Sequence, residues 1–327
     1  MRAVSRRPSH SNAGPAIETH DLAKSYGRIE ALAGLTMRVE RGEVFGFLGP
    51  NGAGKTTAVK LLVGLSRPTH GEATVLGAPL GDRATRRRLG YLPELFRYQS
   101  WMRAREVLAL HCGLADLPRA MWAGEISDAL RTVGLADRAD DFVGTFSKGM
   151  QQRLGLGVAL LGKPELILLD EPTSALDPVG RQDVRRIIRE LRDRGIAVFL
   201  NSHLLAEIER VCDRVAIVDR GRVVISGPIE ELLAVRAVRL RVTGMGPTEM
   251  LRLAPFGTVT RDGDWLSILG LEPDRVPDLV AAVVAAGGRI HAVEQERESL
   301  EDRFFEFVSG DRQPGGRREP PGSTPHG

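Results

Sequence analysis

The sequence predicts an α/β fold in which helices cover a largely parallel sheet. Three runs of apolar residues, at 44–48, 166–169 and 196–200, are typical of strands that are buried on both faces. The first run is followed by polar residues and then by a segment, 59–65, whose apolar residues recur with helical periodicity. Strands that alternate with helices usually pair in parallel, and such sheets bind ligands at the carboxyl ends of their strands.

The chain of 327 residues divides into four predicted segments. Residues 1–16 and 310–327 are rich in Pro, Gly, Ser and Arg, and we expect both to be disordered tails. Residues 17–232 are predicted to form one large domain, which opens with alternating strands and carries an inserted helical block at about 100–150. Residues 233–309, beyond a shift in composition, predict a small α/β accessory domain.

Short periodic segments predict the elements of this accessory domain. Strands are expected at 238–242, 265–269 and 289–293, and helices at 278–286 and near 300–307. The last helix carries three phenylalanines that we expect to be core or docking residues, namely Phe304, Phe305 and Phe307.

Charge and composition argue against several classes of protein. The net charge of +3 is matched by the three arginines of residues 1–16, which contain no acidic residue, so the body of the chain offers no excess of basic charge to nucleic acid. The two cysteines, Cys112 and Cys212, are isolated and fit a reducing compartment rather than a disulfide framework. The longest strictly apolar run, 279–286, is far shorter than the ~20 residues of a spanning helix. We therefore predict no membrane span and no nucleic-acid partner.

The residues after the first apolar run form a predicted phosphate-binding loop. Gly49, Gly54, Lys55 and Thr56 satisfy the P-loop spacing G-x-x-x-x-G-K-T between a buried strand and a helix. Glycines let successive backbone N–H groups point at phosphate oxygens, and the helix N-terminus adds positive potential. Lys55 is expected to reach the β and γ phosphates of ATP, and the Thr56 hydroxyl to ligate Mg²⁺. The predicted ATP-binding residues of this loop are Gly49, Pro50, Asn51, Gly52, Ala53, Gly54, Lys55, Thr56 and Thr57.

Two adjacent carboxylates end the second apolar run. Asp170 is expected to hold Mg²⁺ as the acidic partner of Thr56. Glu171 follows immediately at the mouth of the strand, where a carboxylate can orient and polarise the attacking water as a general base. Pro172 favours an abrupt exit of the chain from the strand.

Together these motifs resemble the ATP-binding-cassette (ABC) family over roughly residues 17–232. The family's signature segment has its counterpart at 146–153, where the resemblance implies that Ser147, Lys148, Gly149 and Met150 contact ATP bound to another subunit. Lys148 and Met150 replace commoner family residues, a departure seen in drug-export and other ABC-2-type ATPases. The sequence of residues 298–305 also resembles an accessory domain found on many ABC-2-type ATPases.

The resemblance assigns roles to four further residues. Asp177 looks like the D-loop aspartate that links two nucleotide sites, and His203 looks like the switch histidine that contacts the γ-phosphate. Tyr26 matches the aromatic residue that stacks on adenine. Glu94 falls at the Q-loop position, where the family usually has Gln, and is expected to contribute to the Mg²⁺ site.

The family implies an ATP-binding and ATP-hydrolysing subunit that powers a separate ABC-2-type membrane permease, with export favoured. One cassette supplies half of each composite site, so a second ATP-binding subunit is expected, most simply in a homodimer at the cytoplasmic face of the cell membrane. The alternative is a non-transport ABC ATPase that acts on nucleic acid or the ribosome. Repair relatives insert coiled coils or zinc sites and translation relatives carry two cassettes, and this sequence has neither feature.

Overall fold

The computed structural model describes residues 14–174, 176–233, 235–297 and 299–309. The predicted disordered tails therefore lie outside the described residues, apart from residues 14–16. Ala16 is fully buried, its N–H donates to Val39 O, and its carbonyl accepts from Leu76 N. The packed part of the chain thus begins before the predicted boundary at Ile17.

Strands and helices alternate along most of the chain. The strands are β1 (Ile17–Tyr26), β2 (Ile29–Val39), β3 (Val44–Leu48), β4 (His70–Val75), β5 (Ala78–Pro79), β6 (Leu89–Leu92), β7 (Leu166–Asp170), β8 (Ala197–Asn201), β9 (Arg214–Asp219), β10 (Arg222–Pro228), β11 (Val235–Thr243), β12 (Thr258–Asp262), β13 (Trp265–Leu269) and β14 (Arg289–Arg297). The α-helices are α1 (Lys55–Leu62), α2 (Arg83–Arg86), α3 (Ala104–Leu114), α4 (Trp122–Thr132), α5 (Lys148–Ala159), α6 (Pro178–Asp193), α7 (Leu205–Val211), α8 (Ile229–Leu232), α9 (Pro247–Met250), α10 (Val276–Ala285) and α11 (Leu300–Ser309). Short 3-10 helices occupy Arg119–Met121, Ala136–Arg138, Val143–Thr145, Leu251–Phe256 and Pro273–Arg275.

The central sheet has the strand order β10-β9-β3-β8-β7-β6. Adjacent strands in it are parallel, except that β9 and β10 are antiparallel. Every residue of β3, β7 and β8 is buried, as their apolar composition predicts. The register pairs Asn201 with Asp170 on one side and with Phe47 on the other. The carboxyl ends of the three strands therefore meet at one edge, which confirms the predicted α/β class.

Alternate residues of the buried strands enter two different cores. Phe45, Phe47 and Phe199 face a core that also contains α1 and the antiparallel sheet of order β2-β1-β4-β5. The aromatic rings stack there, with 6.0 Å between the centroids of Phe45 and Phe199. Val44 and Val198, on the opposite face, join a core built mainly from helices α3 to α7. The central sheet is thus covered on both sides, and its polar strand ends form the open edge.

The third sheet, of order β12-β13-β11-β14, is antiparallel and has its own core with α10. Strand β13 has the predicted bounds, whereas β12 was not predicted because its sequence is polar and mostly exposed. Helix α11 follows β14 but places Leu300 in the core of the helical side of the central sheet. Across the described ranges, no helix combines the length and apolarity that crossing a membrane requires.

Candidate ATP-binding site

The predicted phosphate-binding loop joins β3 to α1 and closes around the Lys55 side chain. Lys55 is the first residue of α1 and is 8% exposed. Its ammonium donates to the carbonyl oxygens of Gly49 at 2.8 Å and Pro50 at 3.2 Å. The loop therefore holds a cation beneath the backbone N–H groups of a helix start, which is the arrangement that binds phosphate.

Gly54 shows why this loop requires glycine. Its φ is +98°, and a Cβ at this position would lie 2.2 Å from Ala31 O on β2. A side chain would therefore be strained by the backbone conformation and would also push away the β1–β2 hairpin. That hairpin carries Tyr26, which is 48% exposed and has the Lys24 ammonium 5.0 Å from its ring centroid.

Asp170 and Asn201 form a buried pair at the ends of β7 and β8. Asp170 is 2% exposed and accepts a hydrogen bond from the Asn201 amide. The other Asn201 side-chain atom, Oδ1, has no hydrogen-bond partner among the described residues. An orphaned buried acceptor at this point is available to a water ligand or to a donor of the bound nucleotide complex.

Glu171 is held in an unusual backbone conformation beside Asp170. Its φ is +52°, in the left-handed region that non-glycine residues rarely adopt, and its N–H donates to Asn201 O at 2.8 Å. The Oε1 atom lies 2.8 Å from His203 Nδ1, and Oε2 accepts a bond of 3.5 Å from Ser202 Oγ. Strain of this kind is found at functional positions, where the surrounding contacts enforce it.

The titration of the site reflects burial and a surplus of carboxylates. Burial raises the pKa of Asp170; the hydrogen bond from Asn201 opposes this, and the charges of Glu94 and Glu171 add to it. Burial lowers the pKa of Lys55, while Glu171, Asp170 and Glu94 together act in the opposite direction. The cleft therefore contains three carboxylates and one buried ammonium, and an added cation would be bound favourably.

The cleft at this edge has a volume of about 470 Å³. It brings together nine of the nineteen predicted site residues, including both predicted catalytic residues and all three predicted Mg²⁺ ligands. Its lining is Gly49, Pro50, Asn51, Lys55, Thr56, Glu94, Asp170, Glu171, Asn201, Ser202, His203, Leu205 and Phe304. Gly52, Ala53, Gly54 and Thr57 belong to the same loop and first helical turn but do not line it.

A second group of predicted residues lies outside the cleft. Ser147 is exposed and caps α5, because its Oγ accepts from Met150 N at 3.2 Å. Asp177 is exposed and caps α6, accepting from Gly180 N at 2.7 Å. A Cβ on Gly149 would lie 3.9 Å from Leu176 Cδ2, so the two caps lie near one another. The predicted residues of this second group, which do not line the cleft and lie outside its loop, are Tyr26, Ser147, Lys148, Gly149, Met150 and Asp177.

Four residues of the cleft were not predicted as site residues: Asn201, Ser202, Leu205 and Phe304. Asn201 and Ser202 had a usable signal, because they end a buried strand that neighbours the Asp170 strand and directly precede His203. Phe304 had none, since it lies about 100 residues beyond His203 in a different predicted domain.

The oxygen donors of the cleft fit Mg²⁺. Thr56, Glu94 and Asp170 offer hydroxyl and carboxylate oxygens, which magnesium prefers. Within the described ranges no cluster of three or more His, Cys, Asp or Glu side chains could enclose a metal. Mg²⁺ is commonly held by one or two carboxylates together with substrate phosphates, so this donor set suits an ion that binds with ATP.

The fold and the cleft together define a P-loop ATPase of the ATP-binding-cassette class. A profile of the ABC transporter family matches residues 32–174. The solved structure of an ATP binding subunit of an ABC transporter is 32% identical, with a TM-score of 0.60, and the match covers 66% of this chain and 91% of that one. An uncharacterized ABC transporter ATP-binding protein of Nostoc sp. is 40% identical over 91% of both chains. The chain belongs to the ABC transporter ATP-binding proteins and is an ATP-hydrolysing subunit.

Relatives named for opposite directions of transport are both similar to this chain. A fluoroquinolones export ATP-binding protein of Mycobacterium tuberculosis is 38% identical, and the match covers 79% of this chain and 86% of that one. A methionine import ATP-binding protein of Paraburkholderia xenovorans is 33% identical, with 87% and 81% covered.

Proposed function

We propose that the cleft binds Mg-ATP and that Glu171 and His203 carry its hydrolysis. Lys55 and the N–H groups of the loop bind the β and γ phosphates, while Thr56 and Asp170, with Glu94 beside them, hold Mg²⁺. The bound ion would neutralise negative charge that develops on the phosphates. The observation that carries this proposal is the Glu171–His203 contact of 2.8 Å in a cleft shared with Lys55 and Asp170.

The geometry of the pair supports a separate role for each residue. Glu171 is buried, and its two carboxylate oxygens contact His203 and Ser202. A carboxylate held in this way suits a general base that accepts a proton from the attacking water. His203 is about half exposed at the mouth of the cleft, where its imidazole can reach the γ-phosphate. Its contact with Glu171 orients the ring and links the position of the base to the presence of the phosphate.

The residues outside the cleft support a composite site made by two chains. Ser147 and Asp177 are exposed helix caps, and neither lines the cleft of its own chain. A second copy would bring its Ser147, Lys148, Gly149 and Met150 against the open phosphates. We infer a homodimer in which each ATP is enclosed between the loop of one subunit and the Ser147 surface of the other.

The proposed biological role is to drive export through a separate ABC-2-type membrane permease, with the dimer at the cytoplasmic face of the cell membrane. The Lys148 and Met150 departures from the usual signature and the similarity to an export subunit favour export. The similarity to a methionine import subunit means that the direction has to be measured in vesicles with the native permease. Action on nucleic acid or the ribosome is disfavoured by the relatives, which are named as transporter subunits.

Glu171→Gln tests the catalytic and dimeric parts together. The amide keeps the shape and the hydrogen bonding of the side chain but cannot accept the water proton, so turnover should fall by ~10²-fold or more. ATP binding should persist and favour the closed dimer over monomers. Size-exclusion chromatography with light scattering should therefore report a doubled mass with ATP and Mg²⁺ but not with ADP.

Ser147→Arg in the same chain is the matched control, because it alters the partner surface and leaves the cleft intact. This double variant should stay monomeric with ATP. A Glu171→Gln chain that hydrolyses ATP at the wild-type rate would remove Glu171 from catalysis. A slow variant that never dimerises would contradict the homodimer while leaving the base in place.

A further inference from the structure

Helix α11 departs from the accessory sheet and packs against the catalytic part of the chain. Leu300, its first residue, is fully buried in the same core as Val211 and Leu232. The Leu300 N–H donates to a carboxylate oxygen of Glu209 on α7, which satisfies a first-turn donor that has no partner within its own helix. Arg303 Nε donates to Leu232 O at 3.3 Å. The helix is therefore fixed by apolar burial and by hydrogen bonds at two points.

The partner of α11 is the helix that directly follows the catalytic histidine. Helix α7 begins at Leu205, two residues after His203, and Leu204 N–H donates to Ser202 Oγ at 3.1 Å. The same Ser202 hydroxyl donates to Glu171. Movement of the start of α7 would therefore be transmitted directly to the carboxylate and the imidazole of the proposed site.

The two helices run in opposite directions along this contact. Glu209 of α7 bonds Leu300 of α11. Leu205 lies one turn earlier on α7 and Phe304 one turn later on α11, and these two residues both line the cleft. Phe304 is partly buried and packs against the core that contains Leu300. Among the described residues from 233 onwards, Phe304 alone lines the ATP cleft.

The Phe304 side chain has no acidic or basic group that could take part in hydrolysis, but it can help to hold His203 in position. His203 is about half exposed, and its Nδ1 lies 2.8 Å from the Glu171 carboxylate. A catalytic side chain needs neighbours that hold it within about 0.5 Å of its productive position. Phe304 and Leu205 line the same cleft, so the aromatic ring can restrict the start of α7 by packing alone.

We propose that Phe304 is a positioning residue for hydrolysis, which acts by holding the start of α7 and through it the His203–Glu171 pair. The inference rests on the roles proposed above for those two residues. The proposal makes α11 part of the catalytic apparatus. The packing of α11 against α7 would then affect the hydrolysis rate without any contact with the phosphate-binding loop.

The test compares Phe304→Ala with Phe305→Ala in the full-length protein. Phe305 is the adjacent aromatic residue of the same helix but is 57% exposed and does not line the cleft. Phe304→Ala should lower kcat by about tenfold or more, since small misplacements of catalytic groups have effects of this size. The KM for ATP and the affinity for a fluorescent ATP analogue should stay within about twofold, because the loop is unchanged. Phe305→Ala should leave the KM and the affinity near wild type and lower kcat far less than Phe304→Ala does, because its ring packs edge-on against Phe304 but does not line the cleft.

Two further variants separate positioning from general support of the fold. Phe304→Leu keeps a large apolar side chain at this position and should recover most of kcat. Phe304→Val, which is apolar but shorter, replaces the alanine variant if that chain does not fold, and it should lower kcat in the same direction. In a His203→Ala background, Phe304→Ala should cause little additional loss, because residues that act through one another are not additive.

Each contrary result has a distinct meaning. Equal losses from Phe304→Ala and Phe305→Ala, or full additivity with His203→Ala, would overturn the positioning role. A higher kcat in Phe304→Ala would mean that the ring restrains hydrolysis instead of supporting it, which also overturns the proposal. A wild-type rate in His203→Ala alone would refute the proposed function of His203, independently of the comparison between the two phenylalanines.

Discussion

Asp170 illustrates a conflict between stability and function within one side chain. It is almost completely buried, and burial raises its pKa. A raised pKa in the folded state means that folding disfavours the ionised form. The Mg²⁺-binding role proposed for Asp170 requires that form, so the fold would keep a charge that the nucleotide-free protein does not favour.

We therefore predict that Asp170→Asn stabilises the nucleotide-free protein while it abolishes Mg-dependent hydrolysis. The penalty from the ionised carboxylate is fully present above the raised folded-state pKa and is lost as the pH falls below the unfolded-state pKa of ~3.9. The thermal midpoint of the variant should therefore exceed that of the wild type at neutral pH, and the difference should shrink on acidification. Asp177→Asn, at an exposed cap where Asn serves as well as Asp, is the control and should show no such difference. A destabilised Asp170→Asn chain at pH 7 would contradict this reasoning.

Helices α6 and α7 are joined by an ion pair that lies mostly out of solvent. Arg185 Nη1 donates at 2.8 Å to both carboxylate oxygens of Glu207, and Glu207 is 7% exposed. Helix α6 begins after Asp177, and α7 follows His203, so this pair connects the segment that starts at the exposed Asp177 cap to the segment that starts after His203. The apolar residues of α6 that face the core are Val184, Ile187, Ile188 and Leu191.

Loss of one member of this pair should be costly. Arg185→Ala is expected to lower the free energy of unfolding by about 3 kcal/mol, because it leaves the Glu207 carboxylate buried without its partner. The neighbouring Arg186 pairs with Glu190 on the exposed side of the same helix, so Arg186→Ala should cost only ~0.5 kcal/mol. Urea unfolding of the two variants measures both values. Similar losses would mean that burial does not distinguish the two pairs.

The elements were predictable where a single periodicity determined them. The buried strands β3, β7 and β8 are continuous apolar runs, and the P-loop after β3 has a fixed residue spacing. Strand β12 was missed because Thr258–Asp262 forms an edge strand with mostly exposed polar residues, so its pairing with β13 leaves no apolar pattern.

The α/β fold class of the whole molecule could be predicted from the sequence, but the contact between α11 and the ATP-binding domain could not. The carboxyl ends of parallel strands align, so Asp170 and His203 could be assigned to one cleft from sequence order alone. The packing position of α11 could not be predicted, because a helix with apolar residues on one face does not specify which of several cores it enters. The contact of Leu300 with Glu209 joins residues 91 positions apart, and no local pattern encodes such a distance.

The separation of the Ser147 surface from the cleft should make defects in the two places complementary. A Lys55→Ala chain keeps an intact Ser147 surface, and a Ser147→Arg chain keeps an intact cleft. If dissociated subunits of both kinds are mixed in equal amounts, about half of the dimers will combine unlike chains. In each of these hybrids one composite site carries both lesions and the other carries none. ATPase assays should then recover up to about a quarter of wild-type sites from two preparations that are inactive alone. A mixture that stays inactive would place both halves of the site within a single chain.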